Sequence, residues 1–158
     1  MILAIDPGDK QSAYCIIEEV TYKPIEFGKI NNEDLIRNIQ SLIKKYGVFA
    51  LAIEMIASYG MPVGKEVFDT CVWIGRYYER SMFFVGDISY VYRKDVKMNL
   101  CNSMRAKDSN IRQALIDRFG TVGTKKNQGW FYGFKADIWS AYAVGITYLD
   151  SLREVVNE

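Results

Sequence analysis

Two short apolar runs constrain this chain most. Residues Ile2–Asp6 and Val48–Glu54 are almost wholly apolar, and each ends in an acid. Runs of that length and composition read as buried strands, the first of them closed by Pro7-Gly8. In α/β sheets, ligands bind outside the carboxyl ends of the strands. If these two strands lie parallel and adjacent, Asp6 and Glu54 meet at such an end. One acid closing one strand is ordinary turn or cap chemistry. Two of them on two buried strands point to a site.

The remaining pattern supplies the frame. Ser12–Glu18 and Tyr22–Ile30 read as further strands joined by a turn near Val20–Lys23, so the chain opens as an antiparallel meander. Asn31-Asn32-Glu33-Asp34 offers cap chemistry for a helix carrying Leu35, Ile39, Leu42 and Ile43 on one face, closed by Gly47. Ser58–Gly64 is a loop. Lys65–Ser81 reads as a helix with Val67, Cys71, Ile74 and Tyr78 on one side, and Phe83–Val91 contains a strand. Short helical stretches are expected over Asp95–Leu100 and from an Asp108 or Ser109 cap to Phe119. A last helix is expected from about Ala136 to Arg153.

Composition narrows the chemistry. The chain has 158 residues, the size of one domain, and we expect residues 1–158 to form one. It contains no histidine, which removes serine–histidine triads, HExxH zinc proteases and histidine-based nucleases together. A hydrolase built from this chain must use carboxylates, lysines or a metal held by oxygen ligands, and such ligands favour Mg²⁺ or Mn²⁺. Cys15, Cys71 and Cys101 are odd in number and widely spaced, which suits reduced thiols in a cytoplasmic setting. No stretch has the ~20 apolar residues that span a bilayer, so no membrane partner is expected.

A third acid, Asp137, opens the last helical stretch. Ser140, Ala141, Val144 and Tyr148 follow it on one face. That face is small and apolar apart from Ser140, so an acid at its head needs a partner. Residues 93–126 hold nine lysines and arginines against three aspartates, a net of +6, whereas residues 1–92 hold nine cations against twelve acids. A basic block on an acidic body is a candidate phosphate-binding surface. Lys94, Lys97, Arg105, Lys107, Lys125 and Lys126 are its candidates. Trp130, Phe131 and Tyr132 beside them can either stack on bases or pack onto the body.

With these residues in hand, AIDPG at the start, AIEM in the middle strand and KADIWSAYAVGITY at the end resemble the RuvC Holliday-junction resolvases. The likeness is greatest to the short RuvC-like enzymes of bacteriophages. It implies an RNase H-like α/β fold, a mixed five-stranded sheet flanked by helices, in agreement with the element order. It also implies a bacterial, cytoplasmic setting. The resemblance makes Asp6, Glu54 and Asp137 the catalytic, metal-holding acids. The family's second helical aspartate falls on Ser140, a neutral and weaker oxygen donor. Asp9 is a distant substitute. An aromatic that opens the junction corresponds loosely to Tyr59, with Ala57 in the expected slot.

The implied activity is a structure-selective endonuclease that resolves four-way and other branched DNA by paired phosphodiester hydrolysis. Two cations ~3.5–4 Å apart can activate water and relieve charge on the leaving oxygen, with Asp6 bridging and Lys107 or Lys135 polarising the phosphate. A homodimer matches the two-fold junction, with the Lys65–Ser81 helix as its interface. No small-molecule cofactor is expected. The alternative is a branched-DNA-binding protein whose cleavage is weak or absent because Ser140 replaces an acid.

Overall fold

The computed structural model describes residues 1–156. Three strands open it: β1 (Ile2–Asp6), β2 (Gln11–Ile17) and β3 (Pro24–Asn31). Helix α1 (Asn32–Tyr46), strand β4 (Ala50–Met55), helix α2 (Lys65–Ser81) and strand β5 (Asp87–Tyr92) follow. Helices α3 (Arg93–Cys101), α4 (Asp108–Phe119) and α5 (Ile138–Val156) complete the order. The strands form one sheet in the order β3-β2-β1-β4-β5. The meander β1-β2-β3 is antiparallel, whereas β4 and β5 run parallel to β1.

The two apolar runs are the centre of this sheet because both their faces are covered. Ile2, Leu3, Ala4 and Ile5 are fully buried, as are Ala50–Ile53. Alternate residues go to opposite layers. Leu3, Ile5, Leu51 and Ile53 meet Leu35, Ile39, Leu42 and Ile43 of α1 and Ile74 and Tyr77 of α2. Ile2, Ala4, Ala50 and Ala52 meet α5, which brings Ala141, Val144 and Tyr148. Each large aliphatic buried this way contributes about 1.5–3 kcal/mol.

Small side chains let α5 lie close on the sheet. A Cβ added to Gly145 would stand 2.9 Å from the Ala4 Cβ and 2.3 Å from Ile17 Cδ1. The helix therefore crosses the central strands at nearly bare backbone. Its amino end reaches the end of the sheet where β1, β4 and β5 terminate.

Several elements differ from the sequence pattern, each for a local reason. The buried line of α2 is Thr70, Ile74, Tyr77 and Ser81; of the expected stripe only Ile74 is buried, while Cys71 and Tyr78 are exposed. The helix is rotated because the Tyr77 hydroxyl donates to a buried polar pair, Ser12 Oγ and Asn32 Oδ1, at 3.1 Å each. Asn31 holds the cap position of α1 but makes no side-chain cap bond, and Asn32 turns inward instead. Lys107, rather than Asp108 or Ser109, precedes the first turn of α4. The last helix starts at Ile138, because Ala136 adopts a left-handed backbone, φ 42°, and Asp137 belongs to the entering turn.

Candidate active site

Parallel pairing of β1 with β4 sets the first part of the site. Ile5 pairs with Ile53, so the next residues, Asp6 and Glu54, stand side by side at two strand ends. Neighbouring strands are about 4.8 Å apart, so the two carboxyls are forced together. Both continue the alternation of Ala4 and Ala52 and therefore face the α5 layer. Burial, then the Glu54 charge, push the Asp6 carboxyl up to about 8. Burial also raises Glu54, opposed chiefly by the Arg93 guanidinium and by a hydrogen bond with Asp6. Two acids that cannot both ionise comfortably are a local shortage of positive charge.

The turn after Asp6 is fixed from below. Asn32 Nδ2 donates to the Gly8 carbonyl at 2.8 Å, and Ser12 Oγ donates to Asn32 Oδ1 at 2.7 Å. A Cβ on Gly8 would lie 2.4 Å from the Gln11 carbonyl oxygen. This buried Ser12–Asn32–Tyr77 group joins β2, α1 and α2 to the loop that carries Asp6.

A cleft opens over the pair, lined by Asp6, Pro7, Glu54, Met55, Ile56, Ala57, Tyr59 and Arg93. Tyr59 and Ala57 both reach it, and Tyr59 is 68% exposed with a left-handed backbone, φ 49°. A second cleft holds Asp108, Ser109, Arg112, Asp137, Trp139 and Ser140, with Arg93 again on its wall. Asp137 and Ser140 thus share one cleft, and Asp6 and Glu54 share the other.

Asp137 has its own counterion. Lys29 Nζ lies 2.5 Å from Asp137 Oδ2. Ala13 pairs with Asp6 on one side and Lys29 on the other, so Lys29 occupies the same rung of the sheet as Asp6. Arg93 fills the space between the halves, with Nη1 3.9 Å from Glu54 Oε1 and Nη2 bonded to Asp108 Oδ1. Neither cation was singled out from the sequence. Arg93 follows β5 directly, as Asp6 and Glu54 close β1 and β4, and that strand-end position was its available signal. Lys29 had none without the register.

Among the described residues, no group of three or more acids, cysteines or histidines is gathered to hold a metal. The donor set of Asp6 and Glu54 nonetheless fits a hard divalent cation: two adjacent carboxyls, oxygen ligands only, facing a cleft. Asp137 and Ser140 could join it from the α5 side. Asp9 lines neither cleft, and neither do Lys107 and Lys135.

The basic residues lie on the α5 side of the sheet or on its loops. Lys94, Arg105, Lys107, Lys125 and Lys126 are exposed, and Lys97 is half-buried. Lys125 and Lys126 sit at the tip of a turn closed by Thr124 N–H to the Asn127 carbonyl at 2.9 Å and a bridge between Gly123 and Gln128. Of the nearby aromatics, Trp130 stacks on Phe119 and bonds Tyr142, and Phe131 is fully buried. Both pack onto the body, Phe131 completely and Trp130 in part; Tyr132 is 36% exposed.

This sheet order, with five helices around a mixed sheet, is the RuvC-like form of the RNase H fold. Among solved structures, the chain is similar to RuvC of Thermus thermophilus, with a TM-score of 0.74 over 97% of this chain and 95% of that one, at 11% identity. The T. thermophilus RuvC complex with a Holliday junction substrate matches with a TM-score of 0.74 over 98% and 96%, again at 11% identity. The yeast mitochondrial Holliday junction resolvase Ydc2 matches with a TM-score of 0.61 over 94% and 77%, at 14% identity. No family model and no curated protein matches the chain.

Proposed function

We propose that this protein is a structure-selective DNA endonuclease that nicks four-way and other branched junctions. The observation that carries the reading is the Asp6–Glu54 pair: two like charges held together at the carboxyl ends of adjacent parallel strands, in this fold. Such a pair is costly unless a cation or substrate uses it. A bound Mg²⁺ or Mn²⁺ supplies an activated water and relief of charge on the leaving oxygen. Asp6, on the middle strand of the sheet, would be the central ligand; Glu54 would flank it, and Asp137 and Ser140 would complete the set from the head of α5.

Around that centre, Lys94, Lys97, Arg105, Lys107, Lys125 and Lys126 would grip the phosphate backbone without reading sequence. Tyr59, at the mouth of the Asp6 cleft, would meet an unpaired base at the crossover. Phe68, Cys71 and Val72 are exposed on α2, and Met82 is exposed just past its end. A second copy docked there would give a symmetric pair of sites.

The test is a labelled four-way junction incubated with Mg²⁺ beside a linear duplex of the same arms. Paired, symmetric nicks confined to the junction support the reading. A second reading, junction binding with weak cleavage, is favoured by one observation: the Asp137 carboxylate is already ion-paired to Lys29. Tight junction binding with no nicks at any Mg²⁺ or Mn²⁺ concentration would select it.

A further inference from the structure

One cation serves both halves of the site. Arg93 leads α3 directly from the end of β5, so its backbone stands at the third parallel strand end, beside Glu54. Its guanidinium makes ion pairs on two elements, with Glu54 of β4 and Asp108 of α4, its charge also reaches Asp6 of β1, and its side chain lines both clefts.

The two contacts differ in kind. At 3.9 Å the Glu54 contact is charge attraction without a hydrogen bond. The Asp108 contact is a direct bond. Glu54 is 16% exposed, whereas Asp108 is 83% exposed and heads α4, free to follow its partner. A divalent cation held by Glu54 would take over its charge and repel the guanidinium. The Glu54 contact, which is not a hydrogen bond, would then be lost, while the Asp108 bond would keep Arg93 on the wall between the clefts. A guanidinium placed there offers a planar fork of donors that matches two phosphate oxygens.

We propose that Arg93 is the switch cation of this site. Without a divalent cation it balances Glu54; with one bound it turns, still tethered by Asp108, to a phosphate of DNA lying across the two clefts. The first half rests on the geometry alone, and the second half rests on the branched-DNA-binding part of the proposed function, not on cleavage.

Two measurements test it on the intact protein. Calorimetric titration with Mn²⁺, without DNA, compares the wild type with Arg93→Gln and Arg93→Lys. Loss of the competing charge should tighten Mn²⁺ binding about tenfold in Arg93→Gln, while Arg93→Lys, which keeps the charge, stays within about threefold of wild type. Equal affinities in wild type and Arg93→Gln overturn the switch. Junction binding is then measured in EDTA and in Ca²⁺. Arg93→Gln should bind like wild type in EDTA but about tenfold more weakly in Ca²⁺. The same loss in both conditions also overturns it, because Arg93 would then be a fixed contact. If both results hold and Mg²⁺ yields no nicks, the nuclease reading fails and the switch stands. If the junction is nicked and Mn²⁺ affinity is unmoved, the switch alone fails.

Discussion

Lys29 reaches Asp137 across the mouth of the sheet, Nζ to Oδ2 at 2.5 Å, from the same rung as Asp6 with Ala13 between them. The acid at the head of α5 is thereby neutralised by a lysine of the meander. Both partners are more than one-third exposed, so solvent screens the pair. Lys29→Met should change stability by no more than about 1 kcal/mol, read as a small shift in Tm. The same variant frees the Asp137 carboxylate and should tighten Mn²⁺ binding severalfold by calorimetry. A large loss of Tm, or unchanged Mn²⁺ binding, would show that the pair has a different role.

Asp6 makes the metal-free protein sensitive to pH. Its carboxyl is raised from 3.8 to about 8, first by burial and then by Glu54. The folded chain therefore keeps a proton that the unfolded chain releases near pH 4, so this contribution is full below pH 4 and is lost as pH rises through 8. Glu54, also raised, acts in the same direction. In EDTA, Tm should fall between pH 5.5 and 8.5. Asp6→Asn should flatten that fall and be more stable than wild type at pH 8 by at least about 1 kcal/mol. Saturating Mg²⁺ should restore the wild type, by ~2.7 kcal/mol at a hundred times its Kd. A wild-type Tm that rises with pH in EDTA contradicts the assignment.

Tyr77 links α2 to the loop after Asp6 through Ser12, Asn32 and the Gly8 carbonyl. Tyr77→Phe removes one buried hydroxyl and leaves its partners bonded to each other. We expect a loss of about 1–2 kcal/mol in chemical denaturation. Gly8→Ala should cost more, since its Cβ meets backbone oxygen at 2.4 Å. If Tyr77→Phe unfolds at the wild-type midpoint, the group does not hold the loop.

The outward face of α2 carries the dimer proposal. Phe68 and Val72 are each 61% exposed and one helical turn apart. Val72→Glu should convert a dimer into a monomer in sedimentation analysis while leaving Tm within about 2 °C. A wild type that sediments as a monomer at high concentration would remove the interface from the account.

The strand acids were legible because burial wrote them into the sequence: ILAI and ALAI can only be central strands, and an acid closing each is conspicuous. The mixed five-stranded class of the sheet followed from the element order and the resemblance. What was hidden depends on register and on rotation about an axis. Lys29 reaches the site because Ala13 pairs with it and with Asp6, which no periodicity reveals. Arg93 read as one cation of a basic block, although it stands at the end of the β5 run as Asp6 stands at the end of β1. The rotation of α2 was set by a tyrosine hydroxyl seeking Ser12 and Asn32, whereas a hydrophobic count sends Cys71 and Tyr78 inward. Ala136 looked helical and is instead the left-handed residue that delays α5 until Ile138.

The most direct test is the rate of junction nicking against Mn²⁺ concentration for the wild type and for Asp6→Asn, with junction binding measured alongside. Metal-dependent paired nicks are expected from the wild type, with binding retained and nicking reduced at least about a thousandfold in the variant. Nicking by Asp6→Asn at the wild-type rate would contradict it, and so would wild-type nicking that persists in EDTA.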